Sequence, residues 1–334
     1  MTKGLIIMDK AFVDLVYPLE VRTEIDKLAD IYVPPLTKGD VDADPSILKD
    51  AEVIFSGWGG PKLNEAFLEA APNLKAFFYG AGTVKPLVTD AVWERGLTIT
   101  AAGKANAVPV VEYTLSQILF ALKDGWGFVR NLRQAKQYPS KPYYHVQGAF
   151  GSTVGLISLS TIGRKVAEML KLFDVDVLAY DPFVTEEDAK ELGVTLTSVE
   201  EIFKNADVVS LHAPLLQETK GMITASHFQS MKENASFINT ARGEIVREVE
   251  MLDVLKERED LTAILDVVYP EPPAADSLLY TLPNVILTPH IAGSEGKECA
   301  RLGTYMLDEF RRYMQGEDLK WQVTEQQFAT MPEN

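Results

Sequence analysis

TVGLISLSTIGRKVAEMLKLFDVDVLAYDP, residues 153–182, carries the reading of the fold. Val154, Leu156, Ile157 and Leu159 form a short apolar run, the pattern of a strand buried on both faces. Val166, Met169, Leu170 and Phe173 then recur at helical spacing. Val175, Val177, Leu178 and Tyr180 make a second strand, which Asp181 ends. Strand, tight turn, helix, strand and acid is the plan of a dinucleotide-binding βαβ unit. In such a unit the pyrophosphate lies at the helix N-terminus, and the acid holds the adenosine ribose.

The glycine fingerprint of that unit, G-x-G-x-x-G, is altered. It reads Ser158-Leu159-Ser160-Thr161-Ile162-Gly163, keeping only the third glycine, which lets helix pack closely on strand. A Cβ at Ser160 is expected to push a cofactor away or shift the loop. Its hydroxyl could return roughly 1 kcal/mol by donating to a phosphate oxygen. Alone, the stretch also fits an ordinary α/β unit that binds no nucleotide.

The rest of the chain narrows the choice. Leu5–Met8, Val53–Phe55, Ala76–Tyr79 and Leu97–Thr100 read as strands, and a helix is expected around Glu20–Ala29. Glycine-rich turns follow two of the strands, at 56–60 and at Gly80-Ala81-Gly82-Thr83. Alternation of this kind implies a parallel sheet covered by helices, with ligands beyond the carboxyl ends of the strands. Asn106-Ala107-Val108-Pro109 reads as a helix cap with proline in the first turn, and an apolar face continues to about Lys123. Residues 124–150 show no clean period; Trp126, Tyr143 and Tyr144 there could line a pocket or only pack, and packing is the favoured reading. After the βαβ unit come strands at Asp207–Leu211, Ala235–Asn239, Ala263–Asp266 and Val285–Leu287. With the first two they make six, the number in a full dinucleotide-binding sheet. A last helix spans about Cys299–Met314 and is expected to return to the first domain.

The fold class is therefore α/β, two doubly wound parallel-sheet domains with a cleft between them. A flavodoxin-like domain spans 1–103 plus 295–334, and a Rossmann domain spans 104–294. The 334 residues suffice for two cores. A net charge of −16 makes nucleic acid or an anionic membrane a poor partner, and a small anionic substrate would need a local cation. The single cysteine, Cys299, permits no internal disulfide and favours a reducing compartment; it reads as a small buried residue. The short apolar run before Asp9 does not make a signal peptide, and no stretch is long enough to span a membrane. Together these favour a cytoplasmic protein.

Three stretches fall at the ends of strands in the second domain: Asn239-Thr240-Ala241-Arg242-Gly243, Asp266-Val267-Val268-Tyr269-Pro270-Glu271-Pro272 and Thr288-Pro289-His290-Ile291-Ala292-Gly293. Each alone has a bland explanation: a solvated arginine, a surface glutamate, a structural histidine. Together they set a cation, a carboxylate and a titratable imidazole on one edge of one sheet.

On these motifs the chain resembles the D-isomer-specific 2-hydroxy-acid dehydrogenase family, from the Gly80 loop through His290. The segment from Asn106 to Glu112 is similar to the family's entry into an interdomain helix. His212-Ala213-Pro214-Leu215 with Thr219 looks like its adenine-side loop. The resemblance implies hydride transfer between NAD(H) and a small D-2-hydroxy acid or 2-oxo acid. His290 would be the general acid and base, Glu271 its orienting partner, and Arg242 the anchor for the substrate carboxylate and carbonyl. It implies cofactor contacts at Ser160, Thr161, Ile162, Asp181, His212, Ala213, Pro214, Thr219, Thr240, Ala241, Arg242, Asp266 and His290. Asp266 would hold the nicotinamide amide and Asp181 the ribose diol. Substrate contacts are implied at Ala81, Gly82, Asn106 and Arg242. No metal is called for, and a homodimer is implied. Pro182 and Phe183 follow Asp181 with no arginine for a 2′-phosphate, so NAD(H) is expected over NADP(H). The altered glycines leave two rivals open, a non-enzymatic regulator that senses NAD(H) on the same fold and an enzyme with unusually weak NAD affinity. His145 and His227 lack any such context and read as surface or packing residues.

Overall fold

The computed structural model describes residues 1–143, 145–329 and 331; Tyr144 lies outside them. The strands in chain order are β1 (Thr2–Ile7), β2 (Ala29–Ile31), β3 (Val53–Ser56), β4 (Ala76–Tyr79), β5 (Thr98–Ala101), β6 (Ser152–Ile157), β7 (Val175–Tyr180), β8 (Thr195–Leu196), β9 (Val208–Leu211), β10 (Ser236–Asn239), β11 (Thr262–Leu265), β12 (Val285–Leu287) and β13 (Gln322–Val323). They form two sheets, and the chain divides into two compact units, Met1–Ala107 with Ser294–Asn334, and Val108–Gly293.

The first unit orders its strands β2-β1-β3-β4-β5-β13, parallel except for β13, which runs antiparallel to β5. The first five follow the flavodoxin-like order. β3 and β4 are buried along their whole length, which is why they read as unbroken apolar runs. On one face of this sheet Phe55, Phe78 and Phe310 meet, the Phe310 ring standing edge-on to the other two at 5.1 and 5.4 Å between centroids. Phe310 comes from the helix Cys299–Gln315, whose buried face also carries Cys299, Leu302 and Met306, so the last helix does belong to the first unit.

The second unit orders its strands β12-β11-β10-β9-β6-β7-β8, all parallel. Six of them reproduce the Rossmann order, with β12 added at one edge. The chain leaves β6 in one direction toward β7 and β8 and in the other toward β9 and β10. The loop after β6 therefore lies at the topological switch point, where open α/β sheets bind ligands. The strand missing from the six expected from sequence is two-residue β8, too short to leave a periodic signal. Buried apolar residues cover both faces: Phe203, Phe228 and Phe237 on one, Val111, Ile118, Val166 and Leu170 on the other.

Three local expectations need correction. The helix expected over Glu20–Ala29 runs Leu19–Asp26, and Ala29 instead opens β2. The long helix runs Gly103–Ala121, so Asn106 is not its cap and Pro109 lies inside it. Proline removes one backbone donor. Burial of Ala105, Val110, Val111 and Ile118 outweighs that loss. Residues 125–135 form a helix that begins after Asp124 in a left-handed conformation, φ 48°. Trp126 and Tyr143 do pack, against Phe120 and Phe128, with ring centroids 5.1 and 5.0 Å apart, and the Trp126 indole N–H donates to Gln117 Oε1 at 3.0 Å. No single helix among the described residues is long and apolar enough to cross a membrane.

Candidate active site

The loop after β6 turns sharply at Ser158, which sits at φ 76°. For a residue with a Cβ this left-handed conformation costs roughly 1–2 kcal/mol. The turn sends the Ser158 carbonyl toward the helix Thr161–Leu170. A Cβ placed on Gly163 would lie 2.1 Å from that oxygen, so only glycine lets the helix start this close to the strand. Asp181, at the end of β7, closes the loop. Its Oδ2 accepts from the Leu159 N–H at 2.8 Å and from the Ser158 hydroxyl at 3.1 Å, and its Oδ1 from the Phe183 N–H at 2.9 Å.

Ser160 is the residue before the helix, and its side chain makes no capping bond to the first turn. Its hydroxyl donates instead to the His212 carbonyl at 3.0 Å. That places a backbone acceptor from the neighbouring strand-end loop within its reach. Thr161 and Ile162 open the helix, so the N-terminal backbone N–H groups keep their orientation toward an anion. Next to them the His212 ring is 4 % exposed; its Nε2 meets the Ser210 hydroxyl at 3.0 Å, and its Nδ1 is buried without a partner. An uncapped helix start, a Gly163 contact with no room for a side chain, and an unsatisfied imidazole nitrogen fit the pyrophosphate of a dinucleotide. Further along the same loop Thr219 ties the turn, donating to the Pro214 carbonyl at 2.6 Å and accepting from the Leu216 N–H at 2.8 Å. Ala213 is buried.

Burial pushes the His212 imidazole down from its usual 6.5 to about 4. The unfolded chain therefore binds a proton in a range where the folded chain does not. The stability this contributes is fully present above pH 6.5 and is lost as pH falls toward 4, a difference on the order of 3 kcal/mol. Urea unfolding at pH 7 and pH 5 is expected to show lower stability at pH 5, with a smaller loss in a His212→Asn variant. An equal loss in both would contradict this assignment.

The three chemistry-bearing stretches follow β10, β11 and β12, which are neighbours in the sheet. After β10, buried Asn239 shapes the turn: its Oδ1 accepts from the Ala241 N–H at 2.9 Å and its Nδ2 donates to the Arg242 carbonyl at 3.1 Å. Thr240 shares a hydrogen bond with Thr114 of the long helix, 3.1 Å between hydroxyls. Arg242 Nη1 donates to the Ala241 carbonyl at 2.7 Å. Burial pushes the Arg242 guanidinium below its usual value, against the pull of the Glu271 carboxylate. A Cβ on Gly243 would lie 2.1 Å from the Val268 carbonyl carbon and 2.5 Å from the Tyr269 nitrogen. The Arg242 loop and the Glu271 loop therefore touch backbone to backbone. Gly243→Ala is expected to force them apart and to lower the denaturant midpoint by the equivalent of about 2–3 kcal/mol. Unchanged stability would show that the two loops can move apart freely.

After β12, the His290 Nδ1 lies 2.8 Å from Glu271 Oε1. Both side chains are nearly half exposed, so the pair adds at most about 1 kcal/mol to stability. What it does is fix the imidazole. With Nδ1 donating to the carboxylate, Nε2 is left as the reactive nitrogen. The backbone of His290 is left-handed, φ 56°, and its N–H is held by the carbonyls of Asp266 and Thr288 at 3.0 Å each. Asp266, 2 % exposed, holds the rest of the loop: Oδ1 accepts from the Thr288 hydroxyl at 2.6 Å and the Ile291 N–H at 2.9 Å, and Oδ2 from the Ala292 N–H at 2.8 Å. The Thr288 proton goes to a carboxylate, which can only accept, so Tyr113 must donate to the Thr288 oxygen, 3.0 Å away. With three donors from the histidine loop, Asp266 holds that loop in place. Tyr113 and Thr114 escaped the sequence reading because a single hydroxyl in a helix carries no pattern.

Ala81, Gly82 and Asn106 lie in the first unit. Ala81 is buried, and the Asn106 amide nitrogen is 3.7 Å from where a Cβ on Gly82 would sit. Asn106 Oδ1 accepts from the Ser294 N–H at 2.9 Å. His145 packs on Phe128 and pairs with Asp124, and His227 Nδ1 accepts from the Thr224 N–H at 3.1 Å, so both serve local structure.

Comparison with known proteins supplies the family. Residues 115–292 match the model of the D-isomer specific 2-hydroxyacid dehydrogenase, NAD binding domain. The chain is 31 % identical over 255 residues to D-3-phosphoglycerate dehydrogenase of Archaeoglobus fulgidus, an alignment covering 76 % of this chain and 48 % of that protein. It thus spans about half the length of the curated relatives it matches. Among solved structures it is similar to D-lactate dehydrogenase from Aquifex aeolicus complexed with NAD and lactic acid, at 26 % identity and TM-score 0.68, covering 94 % of this chain and 96 % of that one. The NAD-complexed D-isomer specific 2-hydroxyacid dehydrogenase from Lactobacillus delbrueckii shares the fold, with TM-score 0.79 at 22 % identity over 96 % of this chain and all of that one. The chain therefore belongs to the D-isomer specific 2-hydroxyacid dehydrogenase family, whose NAD-binding domain it carries.

Proposed function

We propose that this chain transfers a hydride between NAD(H) and a small D-2-hydroxy acid or 2-oxo acid. The observation that carries the reading is the His290–Glu271 pair at 2.8 Å beside the Arg242 loop, on an edge that also bears a dinucleotide-binding turn. NAD(H), held at the turn from Ser160 to Gly163 and at Asp181, would supply or accept the hydride. In the reducing direction the His290 Nε2 gives a proton to the carbonyl oxygen as the hydride arrives at carbon, and in the oxidising direction it takes that proton back. Glu271 holds the ring so that Nε2 faces the substrate. Arg242 grips the substrate carboxylate through paired N–H donors and draws charge from the carbonyl, which a lysine cannot do with the same geometry. Its half-buried guanidinium is the local cation that an anionic substrate needs against a net charge of −16. Asp266 and Tyr113 hold the His290 loop.

The finer assignments rest on the same reading. Asp181 with Pro182-Phe183 after it supports NAD(H) over NADP(H). Residues 1–103 and 295–334 take the substrate-binding role, with backbone N–H groups at Ala81 and Gly82 for the carboxylate and Asn106 near them. Residues 104–294 take the dinucleotide role. The family implies a homodimer, and the single cysteine supports a cytoplasmic setting. The test is NADH oxidation with a panel of 2-oxo acids, including glyoxylate, hydroxypyruvate, longer 2-oxo acids and phosphorylated ones. Turnover with at least one is expected. NADH binding without turnover on any would favour a sensing role over catalysis.

A further inference from the structure

Ser158 stands where the dinucleotide turn usually has its first glycine, and it keeps the left-handed backbone of that glycine, φ 76°. The conformation is locked by its neighbours. The Ser158 N–H donates to the Tyr180 carbonyl at 2.7 Å, and its own carbonyl packs on Gly163. With the backbone fixed and the residue 8 % exposed, the hydroxymethyl group is aimed at Asp181 Oδ2, 3.1 Å away. A carboxylate offers about four acceptor positions. Three are filled here by Ser158, Leu159 and Phe183. A glycine at 158 would leave two.

We propose that the Ser158 hydroxyl occupies an acceptor position on Asp181 that the adenosine ribose of a dinucleotide uses, making Ser158 an affinity-determining residue for the cofactor. The inference rests on the NAD(H) reading above and deepens it. To engage both ribose hydroxyls through Asp181, the bound form has to break the Ser158–Asp181 bond, and a serine buried this far has few other partners. The weakness expected from the altered fingerprint then comes from the ribose end of the turn. At the phosphate end Ser160 is turned away, onto the His212 carbonyl.

The experiment is a fluorescence titration of NADH into the full chain and into Ser158→Ala and Ser158→Gly, without substrate. Alanine keeps the Cβ and the backbone strain and removes only the hydroxyl; glycine removes all three. Both variants are expected to bind NADH about tenfold more tightly, equivalent to about 1.4 kcal/mol, and Ser158→Ala is expected to lose its effect in an Asp181→Ala background. Tighter binding in Ser158→Gly alone would assign the effect to the backbone and overturn the inference. So would unchanged or weaker binding in both, with the wild type binding NADH normally. Absence of NADH binding by all of these proteins would overturn the cofactor reading itself and this inference with it.

Discussion

Replacing His290 with alanine is expected to lower turnover by about 10²- to 10⁴-fold, the usual worth of a positioned general acid–base group. NADH affinity should stay close to that of the parent. The split follows from geometry. The turn that fits the dinucleotide is built from Ser158 to Gly163, Asp181 and His212, none of which His290 contacts through a side-chain hydrogen bond. His290 is nearly half exposed and packs little, so its removal should leave the fold intact. Glu271→Gln should fall between parent and His290→Ala, because an amide can still accept from Nδ1 and orient the ring but supplies no charge. Steady-state rates with the best 2-oxo acid, beside an NADH titration of each variant, check both statements. Parent-like rates in His290→Ala would remove the proposed mechanism.

Arg242→Lys is expected to cost on the order of 10²-fold in kcat/KM, the equivalent of about 3 kcal/mol, with part of the loss in KM. Lysine keeps the charge, but its single ammonium cannot hold a carboxylate with two parallel bonds. The site also gives lysine a poor setting. Burial already pushes the Arg242 guanidinium down, and an ammonium placed there would lose its proton more readily. The loss in Arg242→Lys should therefore grow as pH rises, while the parent shows no such added loss. A pH profile of kcat/KM for both proteins tests this, and a pH-independent ratio would contradict it.

Much of the frame was legible because buried parallel strands write themselves as apolar runs. The unit from β6 through the helix Thr161–Leu170 to β7 lies where the Thr153–Pro182 pattern put it. What was missed has physical causes. β2, β8 and β13 are two or three residues long and have no room for a period. The Asn-x-x-Pro pattern at 106–109 favours a helix start, yet the helix begins at Gly103 because packing around Ala105 outweighs one lost donor. The helix Gly125–Ala135 was hidden by glycines at 125 and 127, which lower helix propensity without preventing the packing of Trp126 on Phe120.

At the site, residue types at strand ends were enough to pick out Arg242, Glu271 and His290, and the structure brings the last two into contact. The hydroxyl chain from Tyr113 through Thr288 to Asp266 could not be read, since it joins residues 153 positions or more from Tyr113 in sequence with no shared motif. Nor could the two serines be told apart. As letters both replace a glycine. In three dimensions Ser158 carries left-handed strain and binds Asp181, while Ser160 has an ordinary extended backbone and binds a carbonyl.

The central claim is tested most directly by following the hydride. The chain should be incubated with NADH carrying deuterium at both C4 positions of the nicotinamide, and with whichever 2-oxo acid it turns over. The product should be a 2-hydroxy acid of D configuration that carries the deuterium at C2. A product of L configuration, or one without deuterium at C2 after labelled NADH is consumed, would contradict the account.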